Sequence, residues 1–324
     1  MAIASTGMVL LVVGAILMVL NTFFVGLRLY TRIFIMKALR FNDALLAVAL
    51  GAFAALYALL VIGVQGGIGG HTFEATIPGI STSLKVIFFL EIIYVVLTSA
   101  MKGSIALTFI RLSRSRVLTL LFWVSIALDV LISAAFIIYL LVQCKPVSYA
   151  WRLLDPTAKG KCLPLTGQLY MGYALSIVTA TLDGLLMISP WLMMRGRGLN
   201  SRLKLYIYGI FGLGILYVLV QGRHSTPANR TFSATIANII RLVALVKLKG
   251  STDQLLDAAP VFTWSAIEVS IGIIIAGLIE LGPLAAKYGI KGFESYADTD
   301  ERHLLAKPND TSSIQEYEMN TGKM

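Results

Sequence analysis

Charged side chains are scarce in this sequence: Asp, Glu, Lys and Arg make up 14% of its 324 residues, against about 25% in ordinary globular proteins. Apolar residues make up 57%, above the usual ~45–50%. This composition excludes a soluble domain, because too few polar side chains are present to cover a surface of that size. It also excludes a disordered chain, a coiled coil and a disulfide-rich miniprotein. The sequence therefore predicts a multi-spanning membrane protein surrounded by the lipid bilayer.

Motifs for metal binding and catalysis are also missing. With three histidines and two cysteines, the chain has no H-E-x-x-H motif and no Cys/His cluster for zinc, and haem ligation is disfavoured. It has no G-x-S-x-G nucleophile elbow and no repeated aspartate motif for diphosphate and magnesium. The net charge is +10, but no basic cluster alternates with exposed aromatic residues as in nucleic-acid-binding surfaces. We therefore expect no metal, no cofactor and no nucleic acid, and no recognisable motif decides whether the protein is an enzyme.

Long apolar segments predict an all-α, polytopic bundle of seven transmembrane helices, since a spanning helix needs about 20 mostly apolar residues. The first span lacks a basic leader and a cleavage site, so we expect it to be retained. The transmembrane domain then covers residues 1–290, and residues 291–324 form a short polar tail. The predicted spans are 7–27, 43–64, 86–110, 117–142, 169–194, a sixth that begins near Leu205, and 262–286.

The distribution of lysine and arginine predicts the orientation of these helices. Loops one, three and five are rich in basic residues, whereas loops two, four and six carry fewer. The N-terminus should therefore lie outside and the C-terminal tail in the cytoplasm. Cys144 and Cys162 both fall in loop four, on the predicted outer side where disulfides persist. A bridge between them would contribute roughly 3 kcal/mol; the alternative is two free thiols.

The sixth span is interrupted. Residues 203–220 are apolar, 221–230 are polar and contain a proline, and apolar character resumes at Ala234. One interpretation is a re-entrant or extramembrane insertion. The other is an unspliced intron translated in frame across residues 216–233, because codons for these residues can contain a splice donor, a branch point and an acceptor. Its removal keeps the reading frame and leaves one span of about 25 residues.

Ionisable residues inside spans are costly, so each is a candidate functional residue. Glu91 and Lys102 are 11 residues apart on one helix face, about 16 Å, and cannot pair with each other. Matching their depths to other spans predicts a contact of Lys102 with Asp183 and a contact of Arg241 with Glu268 or Glu91. The ionisable residues within the predicted spans are Glu91, Lys102, Asp129, Asp183, Arg241 and Glu268.

These residues have two interpretations. In the first, they hold the helices of the bundle together, as intramembrane polar pairs often do. In the second, they line a polar pocket that opens outwards. Glu91 and Glu268 are then candidates for acid–base chemistry, because burial would raise a carboxyl pKa. The candidate pocket residues are Glu91, Tyr94, Lys102, Asp183, Arg241, Trp264 and Glu268.

A glycine-rich segment, residues 66–70, ends the second span and is followed by His71. Glycines there allow a tight turn with positive φ. A phosphate-binding loop would need a Lys-Ser/Thr pair and a following helix, which are missing. His71 is expected to pack within this loop; the alternative is a proton donor or ligand.

An ordered set of short motifs resembles the fungal rhodopsin-like family of integral membrane proteins, which includes Pth-eleven-like receptor candidates and satratoxin-cluster-type proteins. The resemblance covers roughly residues 10–290. The motifs are Arg28-x-Tyr30-x-Arg32 and Asp43 around loop one, Gly67-x-Gly69-x-His71 after span two, Lys102-x-Ser104-Ile105 with Arg111 in span three, Cys144-x-Pro146 with Trp151 and Cys162 in loop four, Asp183 with Pro190 in span five, Ile239-Ile240-Arg241 in span six, and Trp264 with Glu268 in span seven.

The resemblance implies a seven-helix fold that does not bind retinal, in agreement with the absence of lysine from residues 262–286. The chain departs from the family pattern at Ile279 and Gly282, where proline and arginine are usual. The resemblance implies two functions in a plasma membrane or endomembrane. The first is an accessory in secondary metabolism that binds, sequesters or converts a lipophilic intermediate. The second is a receptor-like sensor of an external cue with a cytoplasmic signalling partner. A transporter is disfavoured, because no inverted repeat is visible.

Overall fold

The computed structural model describes residues 5–74, 76–113, 115–152, 158–194 and 253–282, together with 284 and 288. It is helical apart from one short hairpin. The α-helices are α1 (Ser5–Tyr30), α2 (Phe41–Gly66), α3 (Ile77–Leu112), α4 (Arg116–Val142), α5 (Leu165–Met194) and α6 (Gln254–Ile279). Thr31–Ile35 continues α1 as a π-helical turn, Thr72–Glu74 and Val147–Ala150 are 3₁₀ turns, and the hairpin strands are β1 (Cys144–Lys145) and β2 (Lys161–Cys162).

Within the described residues, six helices are long and apolar enough to cross a membrane. They correspond to predicted spans one to five and seven. The predicted sixth span and the interruption at 216–233 lie outside the described residues, as does the tail 291–324. The structure therefore shows a helical bundle suited to a bilayer.

Two predicted spans had wrong boundaries. Helix α3 begins at Ile77 rather than at residue 86, because Thr76 caps its N-terminus and Pro78 lies in its first turn, where a missing N–H costs nothing. Helix α6 runs from Gln254 to Ile279, not over 262–286. The first turns of α3 are too polar for a hydropathy window to include, although they are regular α-helix.

Helix α3 lies at the centre of the bundle. It packs against α2, α4, α5 and α6, while α1 packs against α2 and α6. Large apolar side chains such as Val19, Phe23 and Leu131 point outwards and are more than 60% exposed. An apolar exterior around buried polar groups is the arrangement that a bilayer favours.

The two ends of the bundle differ. At the hairpin end, defined by β1 and β2, the predicted disulfide between Cys144 and Cys162 is confirmed. The glycine turn after α2 also lies there and uses the expected positive φ angles, 123° at Gly67 and 89° at Gly69. The ion-cluster end carries the buried arginines and carboxylates described below.

Candidate functional site

A line of polar side chains runs along one face of α3. Glu91, Tyr94, Thr98 and Lys102 follow one another at intervals of three or four residues, so they lie on the same side of the helix. Hydrogen bonds and ion pairs from this face reach α5 and α6. We call this set the α3 polar face.

The predicted contact between Lys102 and Asp183 is confirmed. Lys102 Nζ lies 2.9 Å from Asp183 Oδ1, and the two side chains are 8% and 14% exposed. Lys102 Nζ also donates to the carbonyl oxygen of Thr179 at 3.4 Å. The attraction between two buried opposite charges offsets part of the cost of desolvating them, and this pair joins α3 to α5.

Two further contacts connect the α3 polar face nearer the hairpin end. Gln168 Nε2 in α5 donates to Glu91 Oε2 at 3.3 Å. The Tyr94 hydroxyl donates to Glu268 Oε2 in α6 at 3.5 Å, a long hydrogen bond. Trp264 precedes Glu268 by one helical turn and therefore lies on the same side of α6. The α3 polar face thus contacts α5 through Glu91 and α6 through Tyr94.

Arg241 lies outside the described residues. Its predicted contact with Glu268 or Glu91 stays a prediction.

The disulfide hairpin contacts the part of α3 that lies at the hairpin end. The Ser81 hydroxyl donates to the carbonyl oxygen of Trp151 at 2.8 Å. The indole ring of Trp151 packs against Phe88 and Phe89, with ring centroids 5.5 and 6.2 Å apart. Phe88 precedes Glu91 by three residues, so this aromatic contact lies next to the start of the α3 polar face. These contacts hold the hairpin against α3 at Trp151.

The glycine turn and His71 contact the start of α6 at the hairpin end. The Gly69 amide donates to the carbonyl oxygen of Leu255 at 2.9 Å, and His71 Nδ1 lies 3.1 Å from Asp253 Oδ2. The hydrogen bond from His71, assisted by one from the Thr72 amide, holds the pKa of the Asp253 carboxyl below its ordinary value.

Sequence reasoning missed the most highly charged site, which we call the ion cluster. Arg28, 1% exposed, donates through Nε and Nη2 to Asp43 Oδ1 at 2.9 and 2.8 Å. Its Nη1 donates to the carbonyl oxygen of Ala276 at 2.6 Å. Arg32 pairs with Glu280, which also lies 3.3 Å from Arg28 Nη2. These contacts join α1, α2 and the end of α6.

Helix α3 is tied to the ion cluster through neutral groups. The Asn42 amide donates to Glu280 Oε1 at 2.9 Å, and the Thr108 hydroxyl donates to the same oxygen at 3.0 Å. The Ser104 hydroxyl donates to the backbone carbonyl of Asn42 at 2.8 Å. Four helices therefore meet around one carboxylate pair.

The ionisation of Glu280 follows from these contacts. Burial by itself would raise the pKa of the Glu280 carboxyl. The positive charges of Arg28 and Arg32, together with the hydrogen bonds from Arg32 and Thr108, outweigh that effect and bring the pKa below its ordinary value. These contacts therefore favour the ionised form of Glu280.

A signal for this cluster was present in the sequence. Arg28, Arg32 and Asp43 belong to the motifs that carry the family resemblance, and Glu280 falls within the predicted segment 262–286. An acidic residue inside a span is a candidate by the same rule that selected Glu268. Its partner Arg32 is 248 residues away in the chain, so only the fold identifies the pair.

Comparison with known families gives one match: residues 27–287 match the fungal rhodopsin domain. The chain therefore belongs to the fungal rhodopsin family and is a multi-pass membrane protein. Neither the curated proteins nor the solved structures include a significant match to it.

The ion cluster generates a first prediction. Asp43→Asn removes the carboxylate that accepts two hydrogen bonds from Arg28 and leaves Glu280 alone to balance two buried guanidinium groups, so it should destabilise the protein by about 3 kcal/mol. Thermal unfolding of the purified protein in a neutral detergent measures this. Glu74→Gln, at an exposed position in the 3₁₀ turn, is the control and should change stability by less than about 0.5 kcal/mol. Equal unfolding temperatures for the two variants would contradict the assignment.

The Lys102–Asp183 pair generates a second prediction. Lys102→Asp or Asp183→Lys places two like charges together and should lower the unfolding temperature and the yield of folded protein. The double exchange restores an opposite pair and should recover much of the loss, because contacting residues are not additive. Lys85→Met, at an exposed position on the same helix, should have little effect. A double variant no better than either single one would show that the pair does not act as a unit.

Proposed function

We propose that this fungal rhodopsin family protein binds a lipophilic small molecule at the α3 polar face and serves as an accessory in a secondary-metabolite pathway. One observation supports this most: carboxylates, a phenol and an ion pair gather between α3, α5 and α6 inside an otherwise apolar bundle. Binding sites of this kind combine apolar walls with few polar groups that set the orientation of the ligand. A lipophilic molecule would reach such a site from the bilayer.

The residues have distinct proposed roles. Tyr94 and Glu268, joined by a long hydrogen bond, are placed to exchange that bond for one to a polar group of the ligand. Trp264 supplies an aromatic wall and Arg241 a counter-charge. Lys102 and Asp183 close the inner side of the site. If the intermediate is converted rather than held, Glu91 and Glu268 are the groups able to move a proton.

A receptor-like sensor is the alternative function. The ion cluster favours it, because it holds four helix ends together through a few charged contacts. Rearrangement of such contacts lets helix ends move as a unit and is a known type of conformational switch. In this alternative the ion-cluster end faces a cytoplasmic signalling partner.

We also propose that seven helices cross the membrane, with the N-terminus outside and the C-terminus in the cytoplasm. The basic residues of loops one, three and five support this orientation. The disulfide at the hairpin end agrees with it, because disulfides persist on the outer or lumenal side.

The domain arrangement carries a third prediction. We propose that residues 216–233 come from a retained intron and are missing from the working protein, whose domain otherwise covers 1–290. Sequencing the mature transcript should show a message that lacks the corresponding bases, in frame. A transcript pool that retains those bases throughout would establish the segment as a true insertion.

Deletion of the gene in its fungal host tests the proposed function and is the fourth prediction. Under producing conditions we expect the metabolite profile to change, with loss of an end product or accumulation of an intermediate, and the wild-type gene to restore it. Glu268→Gln and Tyr94→Phe should restore it poorly, although both proteins reach the membrane at normal levels. Glu74→Gln should restore it fully. An unchanged profile after deletion would exclude the pathway role, and an altered response to an external cue would then support the sensor.

A further inference from the structure

Loop one forms a short, ordered segment beside the ion cluster. The π-helical turn Thr31–Ile35 is followed by a bend in which the Met36 amide donates to the Thr31 carbonyl at 2.9 Å and the Ala38 amide to the Arg32 carbonyl at 3.1 Å. Lys37 adopts a φ of 49°. Arg32, 4% exposed, is held by Glu280. The buried ion pair of Arg32 with Glu280 therefore anchors this loop.

The exposed surface of this segment combines apolar and basic side chains. Phe34, Leu39 and Phe41 are 65%, 64% and 69% exposed. Lys37 and Arg40 lie among them and are also exposed. Such alternation is typical of a segment at a membrane surface, where apolar side chains enter the acyl region and cations remain at the headgroups.

Arg111 adds a third cation from α3. Its Nη1 donates to Asn42 Oδ1 at 3.2 Å, and the residue is exposed near the end of the helix. Arg40 is the nearby charge that acts on it most strongly, and this action is repulsive. Arg40 and Arg111 therefore face a common region, at the edge where α2 begins and α3 ends.

The carboxylates near this region are already paired. Asp43 faces Arg28 and Arg32, and Glu280 faces the same two arginines. Within the described part of the chain, no carboxylate lies within ion-pair distance of Lys37, Arg40 or Arg111. A net positive charge thus remains beside exposed apolar side chains.

We propose that this edge binds an anionic phospholipid, with Lys37, Arg40 and Arg111 around its phosphate and with Phe34, Leu39 and Phe41 against its acyl chains. An anionic phospholipid matches both kinds of side chain, because its negative headgroup can bind the basic residues while its acyl chains contact the apolar ones. Free phosphate would leave the aromatic side chains exposed to water. The anionic lipids of the cytoplasmic leaflet match the orientation proposed for this end.

The fifth prediction concerns lipid selectivity. The full-length protein is reconstituted in nanodiscs of phosphatidylcholine or of phosphatidylcholine with phosphatidylserine, and the lipids that it retains are counted by native mass spectrometry. The wild-type protein should retain phosphatidylserine in preference to phosphatidylcholine. Arg40→Gln with Arg111→Gln should reduce this preference about 30-fold, from the contribution of two cations near an anionic surface.

A matched control removes the same charge elsewhere. Lys145 and Lys161 are exposed and face each other in the hairpin, so Lys145→Gln with Lys161→Gln lowers the net charge equally at the other end of the bundle. This variant should keep the preference. If the arginine variant unfolds in phosphatidylcholine, Lys37→Gln, which changes an exposed residue, replaces it and should still weaken the preference.

Four outcomes would overturn the proposal. The first is an unchanged preference in the arginine variant or, if that variant unfolds, in Lys37→Gln. The second is an equal loss in the hairpin control, which would show only a general effect of net charge. The third is displacement of the lipid by inorganic phosphate at millimolar concentration, which would indicate a site for a soluble anion. A surface that instead binds an acidic peptide, with no choice between the two lipids, would also contradict it.

Discussion

The arrangement of the described helices depends on the need to neutralise charges inside an apolar bundle. Arg28 is almost completely buried, and a buried guanidinium without a counter-charge would cost several kcal/mol. Asp43 at the start of α2 and Glu280 at the end of α6 supply that charge. The alignment of α1, α2 and α6 along the bundle axis must therefore keep these side chains at one level, and Thr108 brings α3 to the same level.

The same requirement acts along the rest of α3. The helix carries polar side chains on a face that the bundle covers. Glu91 and Lys102 have partners in α5 and Tyr94 has one in α6, whereas the Thr98 hydroxyl donates to a carbonyl of α3 itself. At the hairpin end, α3 instead makes aromatic contacts with the disulfide hairpin. Along its length, α3 thus makes an ion pair, two long hydrogen bonds and an aromatic contact. The two long hydrogen bonds, from Gln168 to Glu91 and from Tyr94 to Glu268, lie between the ion pair and the hairpin.

Some of the site could be predicted from residue types and depth alone. Lys102 and Asp183 were matched because both fall in apolar segments at similar depths, and few other opposite charges were available. Glu280 lies inside the predicted segment 262–286, but its partners Arg28 and Arg32 stand in loop one of the prediction, so sequence reasoning did not connect them. The starts of α3 and α6 were also missed. Thr76 caps the first turn of α3, and Leu255 in the first turn of α6 exchanges hydrogen bonds with Gly69 and Thr72. A hydropathy window is insensitive to both kinds of contact.

The amino-acid sequence alone predicts a helical bundle in a membrane, because helices in a bilayer both pair the backbone N–H and C=O groups and keep the apolar side chains away from water. It also predicts the disulfide, the glycine turn and the family. The tertiary structure is needed to show that one cluster contains Arg28, Asp43, Glu280 and Thr108 and that Tyr94 hydrogen-bonds to Glu268. Periodicity describes one helix at a time, whereas the partners of a buried charge depend on the rotation and depth of every neighbouring helix.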